Sequence, residues 1–306
     1  MGDTDVQTVA SITSEWLKNS PDGAFDLYWS GRAQQLMGNN RLAIDRLSKS
    51  ISVQSDFLQM HNVCRWDIFW CYAMERKWRQ AADVAKKLKS DCKWSPATNA
   101  YQYATCLIQI ADDEGRWSEL RPEIDRTMAE VETLRIRRGG KTFPPEKFAI
   151  SMSQRYSNGD QLCLPILPLF YFWNVFGNCA DNPQLMEPLI ELIDDKLNGH
   201  QSLTIDNRYL LLLMRGVCLR YCQKSSESIE CFEQILTNQK SIQTDTFIPP
   251  HAAFELGLAY LESGDTSAAM RWLHKARDEY HGFLVEAIVH VRIHSALKKL
   301  KRLESR

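Results

Sequence analysis

The sequence has almost no net charge and lacks the marks of a secreted chain. Its 37 Lys and Arg residues balance 38 Asp and Glu residues, so no global field draws it toward nucleic acid or anionic lipid. No Asn-x-Ser/Thr acceptor occurs, the nine cysteines are an odd number, and the first residues show no signal-peptide pattern. We therefore expect a cytoplasmic protein whose cysteines serve as small buried hydrophobic residues.

No apolar run is long enough to cross a membrane as a helix. The longest stretch, Leu162 to Gly177, spans 16 residues and contains Pro165 and Pro168, whereas a spanning helix needs about 20 residues. Because proline is tolerated in the first turn of a helix, we predict a buried helix that begins at a proline. The sequence predicts no transmembrane segment.

Motifs of enzymes and metal sites are also missing. No nucleophile elbow, dinucleotide glycine fingerprint or His-Glu-x-x-His motif occurs. Gly139 to Thr142 look like the end of a phosphate-binding loop, but Arg135 stands where the earlier glycine is required. His290, His294 and Glu286 share a helix face, and no Cys or further carboxylate lies near them to complete a zinc site. We predict no catalytic residue, no metal and no cofactor.

What the sequence does contain is a repeated pair of helices. Apolar residues recur at helical spacing, which predicts an all-α protein. The clearest unit is His251 to Tyr280, in which small, large and turn-forming residues follow the spacing of the tetratricopeptide repeat, namely Gly257, Tyr260, Gly264, Ala269, Leu273 and Ala276. Small residues let two helices approach closely, and large residues fill the space beside them. These residues are therefore predicted to pack the repeat.

Other segments match the same spacing less completely. Leu27 to Ser50 places Gly31, Ala43 and Leu47 on the landmarks, and Leu210 to Leu236 places Gly216, Ser228 and Phe232 there. Two further copies are degenerate: Phe69 to Leu88 loses the first small residue, and Ile108 to Leu120 keeps Gly115 and Trp117. Five copies in one order predict a repeat architecture, because a single match could arise in any packed helix pair.

A narrower resemblance comes from motifs outside the repeats. The order GGKTFPPEKFA, QRY, LPILPLFYFWN, CFEQIL, FELGLAYLESGD and HVRIHSAL, between about Tyr28 and Leu300, resembles the tetratricopeptide repeat protein 39 family. That resemblance implies a cytoplasmic helical-repeat adaptor with no known catalytic residue and with loose links to cilium assembly and lipid handling. Members are longer at the N-terminus, so we expect a short form or a fragment.

The predicted fold is an all-α, right-handed superhelical solenoid of antiparallel helix pairs. We expect a flexible N-terminal segment (1–24), a first repeat block (25–135), an insertion with a short helix (136–160), a second repeat block (161–282) and a capping helix with a basic tail (283–306). Each boundary follows a break in the repeat pattern.

The predicted function is a non-catalytic scaffold that binds other proteins and not nucleic acid. In tetratricopeptide solenoids the first helices line a groove, and the residues predicted to line it here are Tyr28, Leu213, Val217, Phe254 and Leu258. Because these residues are mostly apolar, the groove either binds an apolar segment or is filled by its own chain. The alternative is a peripheral membrane or lipid-droplet protein that uses the basic last helix and residues 162–177.

Overall fold

The computed structural model describes residues 6–137, 139–199 and 203–304, and within these ranges the chain forms helices and no β-strand. The predicted all-α, tetratricopeptide-like fold is thus confirmed. The chain forms two compact units. The N-terminal unit comprises Gly2–Ile166 and Trp173–Leu185, and the C-terminal unit comprises Leu167–Phe172 and everything from Met186 onward.

The N-terminal unit consists mainly of paired helices. Helix α1 is followed by three pairs, α2 with α3, α4 with α5 and α6 with α7, and then by α8 and α10. Their bounds are α1 Val6–Asn19, α2 Ala24–Leu36, α3 Asn40–Ser52, α4 Leu58–Met74, α5 Trp78–Asp91, α6 Pro96–Glu114, α7 Trp117–Thr133, α8 Pro144–Ser157 and α10 Val175–Asn178.

The C-terminal unit contains two further pairs, α12 with α13 and α14 with α15, together with α9, α11 and α16. Their bounds are α9 Leu167–Phe172, α11 Glu187–Asn198, α12 Ile205–Tyr221, α13 Ser225–Thr237, α14 Ile248–Glu262, α15 Thr266–Asp278 and α16 Glu286–Glu304. Residues 167–172 belong to this unit although they precede it in the chain. The division therefore differs from the predicted block boundary at residue 161.

The N-terminal segment was predicted to be flexible, and the structure corrects this over Val6–Asn19. Those residues form α1, which packs against α2 and buries Ala10 and Thr13. Ala10 and Thr13 are three residues apart and thus lie on one helix face. The prediction was based on the polar composition of this segment alone, whereas the spacing of its apolar residues is that of an amphipathic helix.

Three glycines lie where paired helices cross. A Cβ atom on Gly31 would lie 2.7 Å from Leu47 Cγ, one on Gly216 would lie 2.5 Å from Phe232 Cε1, and one on Gly257 would lie 2.9 Å from Leu273 Cγ. The two residues of each crossing are sixteen positions apart in the sequence. The predicted small residues Ala43, Ala269 and Ala276 are fully buried, whereas Tyr260 is half-buried.

The turn between the two helices of each pair has the same backbone conformation. In each pair we call the residue at the small position of the first helix the landmark; these residues are Gly31, Phe69, Ile108, Gly216 and Gly257. Seven positions after the landmark, the backbone has a positive φ in all five pairs: Gly38 (72°), Arg76 (56°), Gly115 (66°), Gln223 (59°) and Gly264 (88°). Glycine adopts this conformation without steric cost, and other residues rarely do. Arg76 and Gln223 thus adopt the same turn conformation although they are not glycines.

Candidate functional site

The residues predicted to line a groove fall in two different environments. Leu213, Val217 and Phe254 are buried in the C-terminal unit, whereas Leu258 is half-buried there and Tyr28 is half-buried in the N-terminal unit. The prediction that the first three are available to a partner is therefore corrected. Their side chains are covered by other parts of their own unit.

Helix α9 occupies the side of α12 and α14 that the repeat pattern assigns to ligands, which we call the C-terminal face. The Tyr171 hydroxyl donates a hydrogen bond of 2.9 Å to Glu255 Oε1 and lies 3.0 Å from His251 Nδ1. The Phe172 ring packs 5.5 Å from the His251 ring and 5.8 Å from the Phe247 ring. The chain thus fills this face itself, which is one of the two outcomes left open by the sequence.

Charged side chains hold α9 in this position. Arg292 of α16 donates a 2.7 Å hydrogen bond to the carbonyl oxygen of Tyr171, and its guanidinium lies 4.8 Å from the centre of the Tyr171 ring. Arg220 pairs with Glu255 at 3.0 Å and also with Glu262. Because Arg220 and Glu255 are buried and paired and Arg292 bonds the backbone of α9, the network favours one position of α9 over alternatives.

Burial sets the protonation states in this network. Burial, followed by the nearby Glu255, holds the pKa of Tyr171 well above its ordinary value. Burial and the positive charge of Arg292 hold the pKa of His251 well below its ordinary value. Both groups are therefore neutral near pH 7, as a tyrosine donor and a neutral imidazole require.

The apolar run that suggested membrane contact lies in the protein interior. Leu164, Ile166, Leu169, Phe170 and Phe176 are all buried. This finding contradicts the alternative in which residues 162–177 contact lipid, since their apolar side chains already pack against protein. Within the part of the chain that the structure describes, no helix has the length and apolarity needed to span a bilayer.

The corresponding side of α2 and α4 in the N-terminal unit, which we call the N-terminal face, is open to solvent. Phe25 is 58% exposed and Trp29 is 49% exposed. The Phe25 ring lies 6.4 Å from the Phe57 ring, and the Trp29 ring lies 5.1 Å from the Tyr28 ring. Exposed aromatic side chains that lie together mark interaction sites more often than scattered ones do.

A buried ion pair lies beside these aromatic rings. Asp67 of α4 accepts a 2.7 Å hydrogen bond from Arg32 of α2, and its backbone carbonyl accepts one of 2.9 Å from Gln35. Burial raises the pKa of Asp67 to about 6, while Arg32 opposes this rise. Burial and the charge of Asp67 raise the pKa of the nearby Tyr28 to about 12. The Tyr28 hydroxyl also hydrogen-bonds the Asp67 carboxylate, which joins the ion pair to the aromatic rings.

Aromatic rings continue along the N-terminal unit beyond Asp67. Trp66 contacts Trp94 and Trp173 with ring centres 5.3 Å and 4.8 Å apart, and Phe143 lies 5.7 Å from Trp173. Trp94 is 41% exposed and Phe143 is 47% exposed. The Trp66, Trp94 and Trp173 rings meet edge to face, and the exposed parts of Trp94 and Phe143 form an apolar surface.

The Cys64 thiol and the His290–Glu286 pair lack the features of a catalytic or metal site. Burial raises the pKa of the Cys64 thiol to about 11, which is the opposite of what a nucleophile needs. His290 lies 3.7 Å from Glu286. Among the described residues, no three His, Cys, Asp or Glu side chains converge as metal ligands would.

Sequence reasoning identified Tyr28 and predicted a buried helix within residues 162–177, but it missed Asp67, Trp66 and the position of α9. Asp67 and Trp66 belong to the degenerate copy that contains Phe69. If Phe69 is aligned with Gly257 of the clearest repeat, both residues fall at positions that face the ligand groove. No local pattern predicts where α9 lies, because its partners are about eighty residues further along the chain.

Comparison with known proteins agrees with this architecture. A profile of the Iml2/Tetratricopeptide repeat protein 39 family matches residues 2–222. The chain is also 31% identical over 281 residues to Tetratricopeptide repeat protein ttc-39B of Caenorhabditis elegans, an alignment that covers 90% of this chain and 48% of the relative. The chain thus spans about half the length of the curated relative it matches. On this evidence, the chain belongs to the Iml2/Tetratricopeptide repeat protein 39 family.

Proposed function

We propose that the chain is a non-catalytic cytoplasmic scaffold that binds other proteins through the N-terminal face. The observation that supports this is the contrast between the two faces. Phe25 and Trp29 are exposed on one face, whereas α9 covers the equivalent positions on the other. Large aromatic side chains supply much of the binding energy in protein interfaces, and leaving two of them in water is unfavourable.

The family resemblance implies roles in cilium assembly and in lipid-related regulation. These roles stay predictions for this chain. The absence of an arranged catalytic or metal site among the described residues favours a binding role over an enzymatic one.

Proximity labelling in cells tests the scaffold proposal. The chain is compared with a Phe25→Glu, Trp29→Glu double variant and with a Val291→Glu control, since Val291 is the most exposed of the large hydrophobic residues on α16. We expect a discrete set of labelled proteins that the double variant loses and the control retains. An unchanged set in the double variant would exclude the N-terminal face as the binding surface.

A peripheral-membrane role retains one supporting feature, the exposed basic end of α16. Lys298, Lys299 and Lys301 are exposed there, and clustered lysines attract anionic lipid. Flotation with vesicles that contain phosphatidylserine tests this role. Loss of flotation after replacing the three lysines with alanine, but not after replacing the exposed Lys86 and Lys87, would favour it over the scaffold.

A further inference from the structure

Two exposed aromatic rings of the N-terminal unit lie side by side just before α6 and α8. The ring centres of Trp94 and Phe143 are 6.1 Å apart, and the two rings also contact the Trp173 ring, at 5.6 Å and 5.7 Å. Trp66 of α4 packs against Trp94. These contacts fix both rings and leave part of each in water, so a ligand that covers them costs the protein little side-chain entropy.

Buried hydrogen bonds hold together the two chain segments that carry these rings. The Ser95 hydroxyl, next to Trp94, donates a 3.3 Å hydrogen bond to Oε1 of Glu146, and both residues are buried. The Asn99 side chain donates one of 3.1 Å to the carbonyl oxygen of Trp94. Because the backbone beneath the rings is tied to the core, the surface has its shape before any ligand binds.

Basic side chains flank both rings. Three exposed lysines lie within four residues of one ring or the other: Lys93, Lys141 and Lys147. Among the residues that the structure describes, none of the three forms an ion pair. The nearest acidic residues in the sequence are Asp91, which pairs with Arg65 at 3.3 Å, and Glu146, which is buried. The two rings and three lysines, which we call the Trp94 surface, thus carry positive charge that no neighbouring acid in the sequence offsets.

This combination of groups favours one class of ligand. Aromatic rings bind apolar side chains, and lysines attract carboxylates without demanding a fixed geometry. Three lysines are few beside the roughly six to ten phosphate contacts of strong nucleic-acid binding, and the net charge of the chain is −1. Contact with a membrane needs apolar side chains that extend into lipid, whereas these two rings pack against the protein. A protein segment suits the surface better than either.

We propose that the Trp94 surface binds an acidic segment of another protein. An apolar side chain of this segment covers the Trp94 and Phe143 rings, and carboxylates on both sides of it pair with the three lysines. This is a second binding surface, beyond the N-terminal face, although the contact between Trp66 and Trp94 makes the two continuous. A scaffold with two surfaces of different chemistry holds two partners, or two segments of one partner, at the same time.

Titration of the full chain with labelled peptides tests both parts of this proposal. The probe is a fluorescein-labelled peptide, GEDELFDEDG. One control peptide carries glutamine and asparagine in place of its acids, and a second carries serine in place of its leucine and phenylalanine. We expect fluorescence anisotropy to show binding of the probe, and binding about tenfold weaker for each control. Equal affinities of the probe and the neutral peptide would overturn the proposal, as would no binding of the probe.

Protein variants locate the binding site. Replacing the three lysines of the Trp94 surface with glutamine should weaken binding of the probe about tenfold. Replacing the exposed Lys298, Lys299 and Lys301 with glutamine changes the net charge equally and should leave the affinity unchanged. Phe143→Ser removes one exposed ring and should also weaken binding. Equal losses in the two lysine variants would show unspecific attraction and overturn the proposal, and an unchanged affinity of Phe143→Ser would exclude the ring contact.

Competition identifies the class of ligand. An oligouridine of equal charge and vesicles that contain phosphatidylserine should displace the probe less well than the unlabelled peptide does. If either competes equally well, the surface binds nucleic acid or lipid, and the proposal is wrong. None of these outcomes decides the role of the N-terminal face, which the Phe25→Glu, Trp29→Glu variant tests separately.

Discussion

Leu273 of α15 packs directly against the backbone of Gly257 in α14. A Cβ atom on Gly257 would lie 2.9 Å from Leu273 Cγ and 3.2 Å from the Leu273 backbone nitrogen. Because the second contact is with backbone, a change of side-chain rotamer could not relieve it. The same crossing recurs between Gly31 and Leu47 and between Gly216 and Phe232.

Gly257→Val should therefore lower the free energy of unfolding by about 1–3 kcal/mol through overpacking. Urea denaturation followed by circular dichroism measures this change. Ala129→Val on the exposed side of α7 is a suitable control, since it should cost only about 0.5 kcal/mol of helix propensity. Equal effects of the two changes would show that the assigned helix crossing is wrong.

The turn position should respond to substitution for a different reason. Gly264 has a φ of 88° and no atom within 4 Å of an added Cβ, so Gly264→Ala should cost about 1 kcal/mol through backbone conformation alone. Gln223 lies at the equivalent position with a φ of 59°, so Gln223→Gly should raise the free energy of unfolding by up to about 1 kcal/mol. Melting temperatures that shift in the same direction for both variants would contradict the shared turn.

Tyr171→Phe tests the hydrogen bonds that hold α9. Removing the hydroxyl leaves Oε1 of Glu255 without the donor shown here, and we expect a loss of about 1.5–3 kcal/mol in unfolding free energy. Tyr260→Phe is a matched control, because the Tyr260 hydroxyl bonds to Glu233 at the surface and should contribute less than about 0.5 kcal/mol. Denaturation curves that coincide for the two variants would show that the Tyr171 hydroxyl does not stabilise the fold.

Asp67 should make the stability depend on pH. Its pKa is about 6 in the folded chain, against an ordinary value of 3.8, so the folded state binds the proton more tightly than the unfolded state. This contribution to stability is complete below about pH 4 and is lost as the pH rises through 6. The difference in unfolding free energy between the wild type and Asp67→Asn should fall by about 2 kcal/mol between pH 4 and pH 7. A difference that is constant with pH would contradict the buried carboxylate.

The fold could be predicted because the repeat has a strong local signature. Gly257, Tyr260 and Gly264 identify one helix pair, and equal spacing extends the pattern to the weaker copies. The pair α4 with α5 shows how a degenerate copy persists: Phe69 stands at the small position, and Ala85, sixteen residues later, stands where other copies have a large residue. The large residue and the small residue have exchanged places, so the combined side-chain volume at the crossing stays similar. A search for glycine at the first position therefore does not find this copy.

The accessibility of the candidate site could not be predicted in the same way. The register placed Tyr28 and Phe254 at equivalent ligand-facing positions, yet Tyr28 lies among exposed rings and Phe254 is buried. The difference depends on α9, whose contacts with His251 and Glu255 join residues far apart in the sequence. Local periodicity carries no information about such contacts.

Photo-crosslinking from the two faces tests the central claim that the N-terminal face is open and the C-terminal face is occupied by α9. A benzophenone amino acid replaces Trp29 in one variant and Leu258 in another, and each variant is irradiated in cells. We predict adducts with other proteins from position 29 and only crosslinks within the chain from position 258. Adducts with other proteins from position 258, together with none from position 29, would contradict the account.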